Sequence, residues 1–201
     1  MPKVLIVVAG PTAVGKTDLC VRLAQALQTE VISADSRQFY RELNIGTAKP
    51  SEAELQGVTH HFINSHSIDT LYSAGSFERD ALAVLDTLFK TKDVVILTGG
   101  SGLYIKAVCE GLDDLPETPP ELRSELMKRL ETEGLEVLQT QLQTLDPIYC
   151  TQNDLQNTQR VVRALEVSLL TGKPYSSFRE HQPAQRPFNI IQIEIGRASC
   201  R

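Results

Sequence analysis

The 201-residue sequence has no tryptophan, only two methionines and only four cysteines. It also lacks any apolar run near the ~18 residues that a membrane-spanning helix needs, so we expect no membrane association. The cysteines, Cys20, Cys109, Cys150 and Cys200, are scattered without a C-x-x-C pair. This spacing favours neither a zinc site nor a disulfide framework. We therefore expect reduced thiols and a cytoplasmic location.

Basic charge is also scarce, since 20 Lys and Arg residues face 25 Asp and Glu residues for a net charge of −5. This balance disfavours a general nucleic-acid-binding protein, although it does not exclude a local basic face. With 41% hydrophobic residues the chain is long enough for a full core. It suits one domain, or one domain with an insertion.

A glycine-rich motif directly follows the first apolar run, residues 4–9. It matches the pattern G-x-x-x-x-G-K-[ST] and consists of Gly10, Pro11, Thr12, Ala13, Val14, Gly15, Lys16 and Thr17. A strand before the loop and a helix after it aim backbone N–H groups and a helix dipole at bound oxygens. We predict that this loop binds a phosphate or diphosphate, with Lys16 supplying charge and Thr17 a hydroxyl ligand for Mg²⁺.

Apolar runs and amphipathic segments alternate through the first half of the chain. The predicted strands and helices are, in order, residues 4–9, 16–28, 30–34, 76–90, 94–98 and 103–109. Such alternation is typical of a parallel sheet with helices on both faces and ligands at the carboxyl ends of its strands. The predicted fold class is therefore α/β, a P-loop NTPase-like parallel sheet.

The pattern changes after residue 112, where a linker rich in proline and acidic residues leads into helical segments. These segments are residues 121–132, 135–146 and 153–170, and a strand at residues 188–193 follows them. We predict a discontinuous core, residues 1–112 and 187–195, with an all-helical insertion lobe at residues 113–186.

The end of the chain resembles a translated sequencing adapter rather than protein sequence. We expect residues 196–201 to be a non-native tail and the chain to be an N-terminal fragment. A parallel strand is usually followed by a covering helix, which the strand at residues 188–193 lacks. The fragment is therefore predicted to be inactive or impaired.

The third predicted strand ends in glycine rather than in the carboxylate by which nucleotide hydrolases usually hold Mg²⁺. This difference disfavours a hydrolase. A carboxylate follows the second strand instead, as Asp35. Strand ends share one edge of a parallel sheet, so Asp35 is placed to take a proton from a nucleophile near the loop. The alternative is that Asp35 only caps a turn.

The glycine turn at residues 99–102 has two interpretations. It is either a tight strand-to-helix connection or a place where a large substrate approaches the backbone and Ser101.

Two arginines, Arg160 and Arg163, share one face of a predicted helix beside Gln159, and Arg123 lies on the first lobe helix. Such a face is either only solvated or contacts the phosphates and bases of RNA.

Several segments together resemble the tRNA dimethylallyltransferases, also called tRNA isopentenyltransferases. They are, in order, residues 10–17, 33–38, 44–50, 60–61, 72–75, 99–104 and 160–166. Ser101 stands where this family usually has threonine, which preserves the hydroxyl group.

The resemblance implies transfer of a dimethylallyl group from dimethylallyl diphosphate to the exocyclic amine of the adenine 3′ of the tRNA anticodon, with release of diphosphate. It implies that the loop binds the donor with Mg²⁺ near Thr17, that Lys16 and Thr17 assist catalysis, and that Asp35 is the general base. The residues implied to contact the anticodon stem-loop are Asp35, Ser36, Arg37, Gln38, Ser101, Arg123, Gln159, Arg160, Val161, Val162 and Arg163. We expect a monomer.

A small-molecule kinase is the alternative enzyme, because its phosphate loop and an aspartate after the second strand would look similar. A third possibility is a regulatory or RNA-binding module that binds without turnover. His60, His61 and His66 are not spaced with carboxylates as metal ligands are, so we predict a structural or substrate-adjacent role for them.

Overall fold

The computed structural model describes residues 2–113, 115–116, 118–179 and 183–196. It divides into two compact units, one formed by Met1–Leu112 with Pro183–Arg201 and the other by Asp113–Gln182. Of the predicted non-native tail only Gly196 is described, and residues 197–201 lie outside the described residues. Cys20, Cys109 and Cys150 are free thiols.

The first unit is built on a five-stranded sheet in which all the strand pairs are parallel. The strands are β1 (Val4–Ala9), β2 (Val31–Ser33), β3 (His60–His61), β4 (Val94–Gly99) and β5 (Asn189–Glu194). Their order across the sheet is β3-β2-β4-β1-β5. The strand at the far end of the chain therefore pairs with the first strand, and β4 separates β1 from β2.

Helices cover both faces of this sheet, which confirms the predicted α/β class. The helices of the first unit are α1 (Lys16–Leu27), α2 (Glu52–Leu55), α3 (Ala74–Leu88) and α4 (Gly102–Glu110). Cys20 and Ala24 of α1 pack in one buried cluster with residues of β1, β2 and β4. Phe77 and Leu85 of α3, together with Val108 of α4, pack against the alternate side chains of the same strands.

The described residues of the second unit form helices and the connections between them, without a strand. It contains α5 (Pro120–Glu133), α6 (Leu135–Leu145), α7 (Pro147–Gln152), α8 (Thr158–Thr171) and a 3₁₀-helix at Tyr175–Phe178. Leucines on three of these helices, among them Leu126, Leu138 and Leu165, are fully buried in one core.

The predicted helix at residues 153–170 was wrong at its start, because α8 begins only at Thr158. The side chain of Asn157 caps α8 by accepting a hydrogen bond from the backbone N–H of Arg160. The separate helix α7 precedes it, with Pro147 in its first turn and Asp146 accepting from the backbone N–H of Tyr149. These caps define α7, which lies between the predicted helices and was not predicted, and they set the later start of α8.

Candidate functional site

The glycine loop connects β1 to α1, as the motif requires. Gly15 is the N-cap residue of α1 and has φ 99°, a left-handed conformation that strains residues with a side chain. Because glycine has no side chain to accept from the first N–H groups of α1, those groups remain suited to binding an anion. The Lys16 ammonium folds back over the loop and donates to the carbonyl oxygens of Gly10 (2.8 Å) and Pro11 (2.7 Å).

A cavity of about 390 Å³ lies beside the loop, within the size range of small-molecule sites. Its walls come from three parts of the first unit: the loop and the start of α1, the ends of β2 and β4, and residues between 48 and 54. Lys16, Thr17 and Asp35 all line it. The three predicted catalytic residues therefore share one cavity, which is also lined by the predicted site residues Thr12, Ala13, Gly15 and Gln38.

Asp35 follows β2 and uses its two carboxylate oxygens differently. Oδ1 accepts from the backbone N–H of Arg37 at 3.1 Å, so the predicted turn cap is present. Oδ2 lies near Gly100, as does Thr12 of the loop, because a Cβ built on Gly100 would lie 3.5 Å from Asp35 Oδ2 and 3.6 Å from Thr12 Oγ1. The turn cap thus uses Oδ1, while Oδ2 takes no part in that bond.

Lys16 and Asp35 also interact electrostatically. Partial burial lowers the pKa of Lys16, and the negative charge of Asp35 partly offsets that effect by raising it. A bound anion would favour the charged amine in the same way.

Glycine at position 99 permits the close approach of β2 to β4. A Cβ built on Gly99 would lie 2.1 Å from the backbone oxygen of Ala34. Next to this contact, Ser101 Oγ accepts from the backbone N–H of Ser36 at 3.0 Å and donates to Ser36 Oγ at 3.2 Å. The turn that carries Asp35 is therefore bound to the turn that follows β4.

A second wall of the cavity is held by Gln38 and Lys49. Gln38 accepts from Ser33 Oγ at 3.1 Å and donates through Nε2 to the carbonyl oxygen of Ala48 at 3.0 Å. The Lys49 ammonium donates to Asn64 Oδ1 at 2.7 Å, and burial lowers the pKa of Lys49. Lys49 lines the cavity but was not predicted as a site residue, although residues 44–50 form one of the segments that carry the resemblance.

The histidines have local partners. His61 Nε2 lies 2.7 Å from Glu30 Oε2, and His66 Nδ1 lies 2.7 Å from Ser65 Oγ. Within the described residues, no group of three or more His, Cys, Asp or Glu side chains could hold a metal ion.

The other predicted contact residues lie in the second unit, where Arg123 and Arg163 form ion pairs with Glu166 of α8. Gln159 and Arg160 are exposed at the start of α8. The side chains of Val161 and Val162 are instead fully buried in the helical core. The solvent-facing residues of this helix start are therefore Gln159 and Arg160, with Arg163 half-buried.

None of the helices in the described part of the chain is long and apolar enough to cross a membrane.

The comparisons with known proteins agree on one family. The family model described as IPP transferase matches residues 38–200. A tRNA dimethylallyltransferase of Christiangramia forsetii is 49% identical over 195 residues, which are 97% of this chain and 65% of that protein. This chain therefore spans about 65% of the length of that relative.

Two solved structures are similar to this chain. The crystal structure of the full-length tRNA isopentenylpyrophosphate transferase from Bacillus halodurans is 34% identical, with a TM-score of 0.59 over 96% of this chain and 60% of that chain. A eukaryotic dimethylallyltransferase, described as acting on tRNA, is 29% identical, with a TM-score of 0.79 over 96% of this chain and 48% of that chain.

Proposed function

This chain belongs to the IPP transferase family, and we propose that the full-length protein transfers a dimethylallyl group from dimethylallyl diphosphate to tRNA. The acceptor in this proposal is the exocyclic amine of the adenine 3′ of the anticodon. The names of its relatives support the reaction class, because they are called tRNA dimethylallyltransferases. The tRNA-acting structural neighbour supports the acceptor class.

The single observation that carries the proposal is the cavity lined by both the glycine loop and Asp35. The reaction forms a bond between the amine nitrogen and the allylic carbon, and it breaks the bond from that carbon to a diphosphate oxygen. The loop N–H groups and Lys16 would bind the departing diphosphate, and Asp35 would accept the proton from the amine. An adenine in a stacked loop must be turned out of the stack to reach such a cavity.

We also propose Mg²⁺ as the companion of the donor diphosphate. Thr17, at the start of α1, lines the cavity and offers a hydroxyl ligand. The described residues provide no cluster of acidic or histidine side chains for the ion. A single hydroxyl ligand from the protein, that of Thr17, fits an ion that takes most of its ligands from diphosphate oxygens and water, as Mg²⁺ does in phosphate loops. When bound, the ion would neutralise part of the diphosphate charge.

For tRNA binding we propose the exposed start of α8 together with the adjacent arginines. Gln159 and Arg160 are exposed there, and guanidinium groups suit phosphate recognition. The proposed tRNA contacts of the first unit, beside the cavity, are Ser36, Arg37 and Ser101. Gln38 is also a proposed tRNA contact, and its bond to Ala48 holds the cavity wall.

A transfer assay separates this proposal from the kinase alternative, which no comparison favours. The full-length protein is incubated with unmodified tRNA and either carbon-labelled dimethylallyl diphosphate or ATP labelled at its terminal phosphate. We expect carbon label in the tRNA, at an adenine next to the anticodon. Transfer of labelled phosphate to a small molecule, with no carbon label in the tRNA, would support a kinase instead.

A further inference from the structure

Glu166 is a fully buried carboxylate in the second unit, on the inner side of α8. Its Oε1 accepts from Arg123 at 3.0 Å, and its Oε2 accepts from Arg163 at 3.1 Å. The hydroxyl of Thr118 also lies 3.4 Å from Oε2. Both oxygens of this buried charge are therefore bound to neighbouring side chains.

A buried ion pair is weak evidence of added stability, because well-packed apolar residues of similar volume often stabilise a protein as well or better. What the pair does fix is orientation. The Arg123 side chain is 48% exposed, so its guanidinium meets solvent on one side while a buried carboxylate holds it on the other. Its second nitrogen donates to Gln159 Oε1 at 3.1 Å.

The remaining arginine has a different set of partners. Arg163 donates to Thr118 Oγ1 at 2.5 Å and to the carbonyl oxygen of Pro116 at 3.4 Å. These bonds fasten α8 to the segment that precedes α5. Glu166 therefore lies between a half-exposed arginine and an arginine that is mainly bound within the unit.

We propose that Glu166 is a positioning residue for RNA binding, which fixes Arg123 and, through it, Gln159 in one arrangement before the RNA arrives. This inference rests on the proposed function, since it assigns the half-exposed guanidinium to tRNA. Arg163 forms the second ion pair with Glu166 and is bonded to Thr118 and Pro116 in the segment that precedes α5. A guanidinium already fixed by a buried partner loses less side-chain freedom when it binds phosphate.

A second effect of Glu166 acts in the opposite direction and makes the inference testable. Replacing Glu166 with glutamine raises the net charge of the group formed by Arg123, Arg163 and Glu166 by one, because one carboxylate is lost. If the carboxylate only neutralised charge, Glu166→Gln would tighten RNA binding and steepen its salt dependence by ~0.7–0.9 in log–log slope. If the carboxylate positions Arg123, the same substitution weakens binding, by ~3- to 10-fold.

The experiment measures binding of an unmodified anticodon stem-loop RNA to the full-length protein by fluorescence anisotropy at several salt concentrations. We expect Glu166→Gln to weaken binding as above while the KM for dimethylallyl diphosphate stays unchanged. The double variant Glu166→Gln/Arg123→Ala should bind no more weakly than Arg123→Ala alone, because the effect of Glu166 passes through Arg123. Unchanged or tighter binding by Glu166→Gln, or additive losses in the double variant, would overturn the inference.

Asp146 provides a matched control, because it is another fully buried carboxylate in the same unit. It accepts hydrogen bonds from backbone and hydroxyl groups, namely the N–H of Tyr149 and the N–H and Oγ of Ser176. Asp146→Asn should therefore lower Tm without changing RNA affinity. Equal losses of RNA affinity in Asp146→Asn and Glu166→Gln would show general loosening and overturn the inference.

If Glu166→Gln does not fold, Arg123→Lys tests the same point. Lysine keeps the charge but cannot bind Glu166 and Gln159 with the planar fork of arginine. We expect Arg123→Lys to bind RNA about as weakly as Arg123→Ala, and wild-type affinity would overturn the inference. Failure of the wild-type protein to bind or modify tRNA would instead contradict the proposed function.

Discussion

Replacing Gly99 with alanine should damage both stability and catalysis, because it separates two strands next to Asp35. The new Cβ would lie 2.1 Å from the oxygen and 2.5 Å from the carbonyl carbon of Ala34, both backbone atoms. To reach ordinary contact distance, β2 and β4 must move apart by about 1 Å or more. Overpacking of this kind costs about 1–3 kcal/mol.

The shift also falls on the site, since Ala34 directly precedes Asp35. A misplacement of about 1 Å can reduce a reaction rate about 10²-fold. We therefore expect Gly99→Ala in the full-length protein to lower Tm by ~2–10 °C. We expect its single-turnover transfer rate to fall by ~10- to 100-fold. Thermal unfolding followed by circular dichroism and a rapid-quench assay measure the two quantities.

Gly102 offers a matched control in the same turn. Among the described residues, no atom outside its chain neighbours and its own helix backbone would lie within 4 Å of an added Cβ, and its φ is not positive. Gly102→Ala should change stability by less than about 0.5 kcal/mol. If Gly99→Ala kept the wild-type Tm and transfer rate, position 99 would not need glycine for the close approach of β2 and β4.

Three further predictions concern separate parts of the molecule. Lys16→Ala should weaken diphosphate binding by ~10- to 100-fold, because a charge-assisted hydrogen bond is lost. Titration calorimetry with inorganic diphosphate measures the Kd, and an unchanged Kd would contradict the role of Lys16. Arg160→Ala should raise the KM for tRNA and lower the salt dependence of binding by ~0.7–0.9 in log–log slope, with little effect on donor affinity. On β5, Ile191 and Ile193 are 51% and 37% exposed, and exposed apolar residues on a strand promote aggregation. The double substitution Ile191→Thr/Ile193→Thr should therefore reduce light scattering by the 201-residue chain, and unchanged scattering would show that these isoleucines do not cause aggregation.

Long, periodic segments of the fold could be predicted from the sequence, whereas short ones could not. The predicted strand at residues 94–98 corresponds to β4, Val94–Gly99, since an unbroken apolar run indicates a buried parallel strand. By contrast, β3 has two residues and α2 has four, which is too few to show a period. Helix α7 was missed because its start depends on the Asp146 cap rather than on apolar spacing.

The site shows the same division between local and distant signals. The glycine loop could be predicted because its pattern is contiguous, and Asp35 because a parallel sheet gathers its strand ends at one edge. The wall formed by Lys49 could not be predicted, since it depends on a contact with Asn64, fifteen residues later in the chain. Similarly, the spacing of Arg163 and Glu166 places them on one helix face, but the partner Arg123 lies 43 residues away from Glu166.

The proposed role of Asp35 as general base is tested by the single-turnover transfer rate of Asp35→Asn in the full-length protein. Asparagine keeps an oxygen that can accept from the backbone N–H of Arg37, so the turn at Asp35 should persist. It cannot take a proton from the adenine amine as the carboxylate can. We predict a rate ~10²- to 10⁴-fold below wild type, with tRNA and donor affinities nearly unchanged. A rate close to that of the wild-type protein would show that Asp35 only caps the turn, and the proposed chemistry of the cavity would be wrong.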